Sequence, residues 1–322
     1  MALLLGTQRG LAACASASGR FSVLALDHRQ NLRHELRPED PSSVTNDEMA
    51  SFKLAIIRAL ATHTSGVLLD PEVGVAPAIA GDVLPGRVGL LVAVEATGYE
   101  GSAGDRRSRV LDGWSPAAIR RTGASAAKLL VYYHPDAPGA PEQERLIADV
   151  LAECRALDLP LFVEPLSFGL DGGKLAGEDR RRVVIRTAER LTALGPDILK
   201  AEFPYDPGVI DQGRWVDALA ELDAASRVPW VLLSGGVEQA RFEAQLEAAC
   251  RAGASGALVG RSVWAEAARL PPDARDAFLA AESVTRMTRL TAIVETHARP
   301  WRARWQQAHR PDEPGEGWYA GY

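Results

Sequence analysis

Short apolar runs alternate with amphipathic stretches along this chain. The runs are FSVLALD (21–27), GVLLD (66–70), GLLVAVE (89–95), AAKLLVYY (126–133), PLFVEPL (160–166), DILKAEF (197–203), PWVLLSGG (229–236) and GALVG (256–260). They are too short for helices and apolar at almost every position, as strands buried on both faces of a parallel sheet are. Between them, stretches such as NDEMASFKLAIIRALATH, PEQERLIADVLAECRAL and VEQARFEAQLEAACRAG carry the 3.6-residue period of helices with one apolar face. Eight strand–helix units with no long linker predict an α/β chain closed into a (β/α)8 barrel. A doubly wound open sheet is the alternative. The expected organisation is one barrel domain over residues 1–310, with a capping segment at 1–20 and extra helices at 272–310. A polar tail, 311–322, follows and is either disordered or an arm that docks elsewhere.

Two connections exceed a minimal unit. Residues 96–113, Gly-rich and charged, predict a long loop over the barrel mouth after the third strand, and residues 167–178 a second after the fifth. The opening MALLLGTQRGLAACASASGR imitates a signal peptide but lacks a basic start, and Gln8 and Arg9 interrupt its apolar run. A short helix covering the barrel floor fits better. No apolar run approaches bilayer length, so no membrane partner and a cytoplasmic location are expected.

Charge narrows the chemistry. A net charge of −6 supplies no basic field for nucleic acid, so the positive partners of an anionic substrate must be local. Three scattered cysteines, Cys14, Cys154 and Cys250, make neither a disulfide framework nor a zinc cage and read as small core residues. Six runs end in or carry a charge: Asp27, Asp70, Glu95, Lys128, Glu164 and Lys200. A charge in an apolar strand is costly unless paired. Their repetition at carboxyl ends of strands points to a shared polar cavity, where barrels place active sites; a salt-bridge network capping the core is the structural alternative.

Within this set, Lys200 and Glu202 share one face of their strand. Burial and a neighbouring ammonium, Lys128, are expected to lower the pKa of Lys200 towards the neutral amine that imine formation needs. The apolar surroundings of Glu164 predict a raised pKa suited to proton shuttling. Asp27 is a candidate to orient Lys200 or bind a substrate hydroxyl, Arg29 to hold a distal anion, and His28 is either a site residue or a solvent-facing loop residue. Ser234, Gly235 and Gly236, with Gly260 and Arg261, form a candidate phosphate cradle after the seventh and eighth strands. Asp27, Asp70 and Glu95 stand as a weaker set for a magnesium ion; without a histidine pair, no metal or other cofactor is expected.

At these residues the chain resembles the class I tagatose-1,6-bisphosphate aldolases and their sulfofructose-phosphate aldolase relatives. The similarity runs in order through LALDHR, GVLLDPEVG, VAVEATGYE, AAKLLVYYHPD, FVEPL, DILKAEFP, PWVLLSGGV and GASGALVGRSVW, roughly residues 20–265, and extends to ARPWRARW. The resemblance implies a Schiff base on Lys200, acid/base chemistry by Glu164, Lys128 beside the imine or the substrate hydroxyls, and a C1 phosphate held by Ser234, Gly235, Gly236, Gly260 and Arg261. The family often has glutamine where this chain has His28. LLDPEVG and VEATGYE lean to the tagatose branch, and VEP and GASGALVGRSVW to the sulfosugar branch, leaving phosphate and sulfonate open at the distal end. The expected activity is reversible cleavage of a ketohexose 1-phosphate with a C6 anion. The expected partner is that phosphorylated or sulfonated ketose, in a homo-oligomer; a sugar-phosphate isomerase or epimerase, or a non-catalytic sugar-phosphate sensor, would use the same barrel.

Overall fold

The computed structural model describes residues 3–320 and 322. In chain order the strands are β1 (Phe21–Leu26), β2 (Gly66–Leu69), β3 (Gly89–Ala93), β4 (Glu100–Ser102), β5 (Asp105–Arg107), β6 (Ala126–Tyr132), β7 (Leu161–Leu166), β8 (Ile198–Ala201), β9 (Trp230–Leu233) and β10 (Gly256–Val259). All but β4 and β5 close into a parallel barrel in the order β1-β10-β9-β8-β7-β6-β3-β2, with β1 paired to both β2 and β10. That closure excludes the open sheet. β4 and β5 form an antiparallel hairpin within the predicted loop over the mouth.

The missing alternation in the apolar runs has a direct cause. One face of each strand fills the barrel (Phe21, Val23, Leu68, Leu91, Ala126, Phe162, Ile198, Val231, Leu258). The other face (Leu24, Val67, Val92, Leu129, Val163, Leu199, Leu232) packs under the helices. Burying each such side chain is worth roughly 1.5–3 kcal/mol, so both faces favour apolar residues. The polar residues begin where the interior approaches the mouth: Ala25 is followed on the same face by Asp27, Ala126 by Lys128, Phe162 by Glu164 and Ile198 by Lys200.

The floor is sealed from both ends of the chain. The helix Leu5–Cys14 lies against the starts of β2 and β3, so closely that a Cβ on Gly89 would fall 2.4 Å from the Ala13 carbonyl oxygen. Trp301 and Trp305, on the helix Trp301–His309, join the interior core from below, and Trp305 Nε1 donates to Asp197 at 2.9 Å. The predicted extra helices span Pro272–His297 with a π-helical turn at Leu279–Ser283, and continue as Trp301–His309. The tail returns to its own barrel: the Tyr322 hydroxyl donates to Asp158 and accepts the Gly6 N–H. Cys14, Cys154 and Cys250 are buried on helices. No helix among the described residues is long and apolar enough to cross a membrane.

Asp70 departs from the expected convergence of strand-end charges. The helix Asn46–Leu60 is started by a capping box between Thr45 and Glu48 and turns Lys53 inward onto Asp70, which also accepts the Val73 N–H at 2.8 Å. Both side chains are buried away from the mouth. The magnesium set Asp27, Asp70 and Glu95 therefore does not assemble, and no group of three or more His, Cys, Asp or Glu among the described residues is placed to hold a metal ion. Lys53→Ala strands a buried carboxylate and is expected to cost about 3–5 kcal/mol in urea unfolding, whereas Lys53→Met with Asp70→Leu should recover most of it.

Candidate active site

A cavity of about 1190 Å3 opens at the carboxyl ends of the strands. Asp27, Arg29, Glu164, Lys200, Ser234, Gly235, Gly236, Gly260 and Arg261 all line it. Lys128 does not; its side chain is wholly buried one layer below. Its Nζ lies 2.7 Å from Asp27 Oδ2, 2.7 Å from Glu95 Oε1 and 2.8 Å from Glu164 Oε2. Its hydrogen bonds go to Asp27 and Glu95, two of the three an ammonium can donate, while Glu164 Oε2 stands in ion-pair range without accepting one. The second oxygen of Glu164, Oε1, lies 2.7 Å from Lys200 Nζ. Glu164 thus stands between the two lysines.

This arrangement corrects two expectations. Glu164 intervenes between the two ammonium groups, and Lys128 is not depressed by a neighbouring cation. Burial pushes the Lys128 pKa down, but Asp27, Glu164 and Glu95 outweigh it and hold the pKa well above the usual lysine value. Nor is Glu164 raised by its apolar neighbours: burial pushes it up, but Lys128 and then Lys200 outweigh burial and hold it below the ordinary glutamate value. Burial opposes the same two lysines at Asp27, and they hold that carboxyl far below its usual range. With Arg29 3.9 Å from Glu95, three cations (Lys128, Lys200, Arg29) face three anions (Asp27, Glu95, Glu164).

His28 lines the cavity, largely covered, rather than standing free on a surface loop. Its ring meets Trp264 edge-on at 5.3 Å, and burial, with Arg261 and Lys200 nearby, lowers its pKa to about 4 despite Asp27. The imidazole is neutral at pH 7. Arg29 reaches the cavity edge with its guanidinium already engaged, 2.6 Å from Glu72 and 2.9 Å from the Glu95 carbonyl oxygen. Glu202 shares the Lys200 face and braces the loop after β7, accepting from the Ser167 N–H at 2.7 Å and from Arg180 at 2.9 Å.

After β9, Gly235 and Gly236 adopt φ of +59° and +74°, a conformation that side chains rarely take. A Cβ on Gly236 would also press to 3.1 Å from the Arg261 guanidinium. Ser234 Oγ accepts the Gly260 N–H at 3.3 Å, tying the two loops together. The glycines, Ser234 and Arg261 form one concave corner suited to a tetrahedral anion.

Strand parity also placed residues that the sequence left unassigned. Glu95, read only as a strand-end charge, is the third carboxylate on Lys128. Tyr132 on β6, Phe168 on the β7 loop and Tyr99 and Arg106 on the hairpin loop complete the far wall. The hairpin's alternation was the available signal, but β4 and β5 were hidden within a Gly-rich charged segment.

The model of the DeoC/LacD family of aldolases matches residues 21–266. The chain belongs to this family. It is 29% identical over 310 residues to the tagatose 1,6-diphosphate aldolase 1 of Streptococcus pyogenes serotype M3, covering 89% of this chain and 94% of that one. To the enzyme of the same name from Enterococcus faecalis it is 31% identical over 268 residues, covering 77% and 81%. Among solved structures, a Schiff base-forming fructose-1,6-bisphosphate aldolase superposes with a TM-score of 0.59 at 20% identity, over 90% of this chain and 99% of the other; this likeness shows the shared fold. As a member of the DeoC/LacD aldolases, the chain is a carbon–carbon lyase.

The charge balance of this aldolase sets its response to pH. Asp27 and Glu164 have folded pKa values below their unfolded values of about 3.9 and 4.3. Their contribution is complete above those values and is lost as pH falls through the folded ones. Lys128 is raised, so its contribution is complete below about pH 10.4 and is lost as pH rises through its folded value. Thermal unfolding of the wild type should therefore vary little with these groups between about pH 5 and 9. In Lys128→Met, Asp27 and Glu164 lose the cation that holds them low and their pKa values rise above the unfolded ones, so stability should increase as pH falls from 7 to 5. A flat profile for the variant would contradict the charge assignment.

Proposed function

We propose that this aldolase acts through a Schiff base on Lys200 and cleaves a ketohexose 1-phosphate carrying a second anion at C6. The Glu164 carboxylate, shared between a protonated Lys128 and Lys200, carries the reading. Lys200 must lose a proton before it can attack a carbonyl, and Glu164 Oε1 at 2.7 Å is the acceptor within reach. The free amine adds to the C2 ketone. Protonated Glu164 then returns the proton to the carbinolamine hydroxyl, which leaves as water and gives the iminium. Glu164, a carboxylate again, removes the C4 hydroxyl proton directly or through one water. The C3–C4 bond breaks, its electron pair moves to the iminium nitrogen as an enamine, and the aldehyde departs. Protonation at C3 and hydrolysis of the imine release dihydroxyacetone phosphate and restore the amine.

Lys128 supports these steps as a positioning residue. It touches the carboxylates rather than the cavity, and its fixed charge orients Glu164 and keeps Asp27 ionised towards the substrate hydroxyls. Ser234, Gly235, Gly236, Gly260 and Arg261 hold the C1 phosphate, which sets C2 beside Lys200. Arg29 balances Glu72 and Glu95 at the edge of the site. The names of the curated relatives favour tagatose 1,6-bisphosphate, with glyceraldehyde 3-phosphate as the second product; sulfofructose 1-phosphate, giving 3-sulfolactaldehyde, is the competing substrate.

Incubation with dihydroxyacetone phosphate followed by borohydride should leave a stable adduct on the peptide bearing Lys200, read by mass spectrometry. An unmodified Lys200 would overturn the covalent mechanism. EDTA should leave cleavage unchanged, and Glu164→Gln should lower kcat by about 10²–10⁴-fold while the protein still binds substrate. Loss of cleavage in EDTA would instead favour a metal-dependent route.

A further inference from the structure

The cavity has two walls, and only one carries the phosphate corner. That corner lies on the loops after β9 and β10, beyond Lys200 on β8. Across the mouth, β3 and β7 flank β6, and their two long loops meet above it as one wall. A Cβ on Gly104 would fall 2.1 Å from the Leu170 carbonyl oxygen, and one on Gly172 would fall 2.8 Å from Ala103 Cβ. Arg106 holds the seam: its Nε donates to Ala103 O at 2.9 Å and its Nη2 to Gly172 O at 3.3 Å.

The surroundings of Arg106 differ from those of the other cations nearby. In β5, alternation turns Asp105 and Arg107 to one side, where they pair at 2.8 Å, and Arg106 to the other, into the cavity. Arg109 is taken by Glu100 and Asp112. Arg106 instead lies over three rings, 4.9 Å from Tyr99, 5.2 Å from Phe168 and 5.8 Å from Tyr132. Of its five N–H donors, the two carbonyls occupy a minority. Among the described residues neither Arg106 nor Lys174, an exposed residue on the adjoining loop that also lines the cavity, has an acidic partner. The other lysine and arginine residues lining the cavity do: Arg29 with Glu72, Arg180 with Glu202, Lys200 with Glu164, and Arg261 more loosely with Glu35 at 3.8 Å.

We infer that Arg106 and Lys174 form the distal anion site of this cavity and select substrates with a terminal tetrahedral oxyanion at the end remote from the C1 phosphate. The inference rests on the aldolase reading of the same cavity. Aromatic faces weaken the hydration of the Arg106 guanidinium and hold its plane, leaving an edge for bidentate contact with phosphate or sulfonate. Lys174 supplies a second, adjustable charge. Arg29, whose guanidinium is already engaged by Glu72 and Glu95, is not the distal ligand.

The test compares full-length wild type, Arg106→Gln, Lys174→Ala and Arg29→Gln on three substrates: tagatose 1,6-bisphosphate, sulfofructose 1-phosphate, and tagatose 1-phosphate, which lacks the distal anion. Arg106→Gln should lower kcat/KM about 10–100-fold on the two dianionic-ended or sulfonate-ended substrates, mainly through KM, and change tagatose 1-phosphate cleavage less than about twofold. Lys174→Ala, on an exposed side chain, should give a smaller loss with the same selectivity, larger for the phosphate than for the singly charged sulfonate. Equal losses on all three substrates would make Arg106 only a seam between loops and overturn the inference. So would selective loss in Arg29→Gln with none in Arg106→Gln and Lys174→Ala. A wild type that cleaves tagatose 1-phosphate as well as the bisphosphate would refute the distal site while the aldolase reading stands; cleavage of none would remove both.

Discussion

The ammonium of Lys128 is the contact on which the rest of the site depends. A lone charge buried inside a barrel would shed its proton or unfold the strand around it. Three carboxylates from β1, β3 and β7 make it stable instead, and in doing so they are themselves drawn together at the top of the core. Like charges this close would not otherwise stay ionised. Lys128 holds Glu164 as a carboxylate 2.7 Å from Lys200, so the two buried lysines and the glutamate between them share one electrostatic balance.

The barrel separates stability from chemistry along its axis. Below, apolar layers, the N-terminal helix and two tryptophans of the C-terminal helix seal the floor. Above, the interior face turns polar within two residues on several strands, and backbone loops take over. The two long loops behave as a joined wall rather than as independent flaps, since backbone atoms of Ala103, Gly104, Leu170 and Gly172 leave little room between them. Glu202 ties one of these loops to the strand that carries Lys200. The KAE triplet thus serves two purposes: its lysine faces the cavity and its glutamate holds the loop after β7.

The neutral His28 fits the same pattern. Wedged between Trp264 and the Gly260 loop, it is kept uncharged by burial and by Arg261 and Lys200. It adds bulk and a polar edge beside the glycine loops without adding a further cation next to Arg261 and Lys200.

Read alone, the sequence establishes the barrel, its eight strands, the two long mouth loops, and the residues lining the cavity on β1, β7, β8, β9 and β10. That was legible because a strand buried on both faces leaves an unbroken apolar run, and because a charge at its end is too costly to be incidental. Pairing was not legible. Asp70 and Glu95 have the same appearance in sequence, yet one meets Lys53 outside the cavity and the other meets Lys128 inside the barrel. The expected rise at Glu164 failed because it counted burial and the nearest residues in sequence, whereas Lys128, Glu164 and Lys200 are brought together by register between strands. Arg106 was indistinguishable from Arg107 and Arg109 until the hairpin turned one of them inward. Strand periodicity is local, and so it can be read along the chain; electrostatic partnership depends on distances across the barrel, which exist only once it closes.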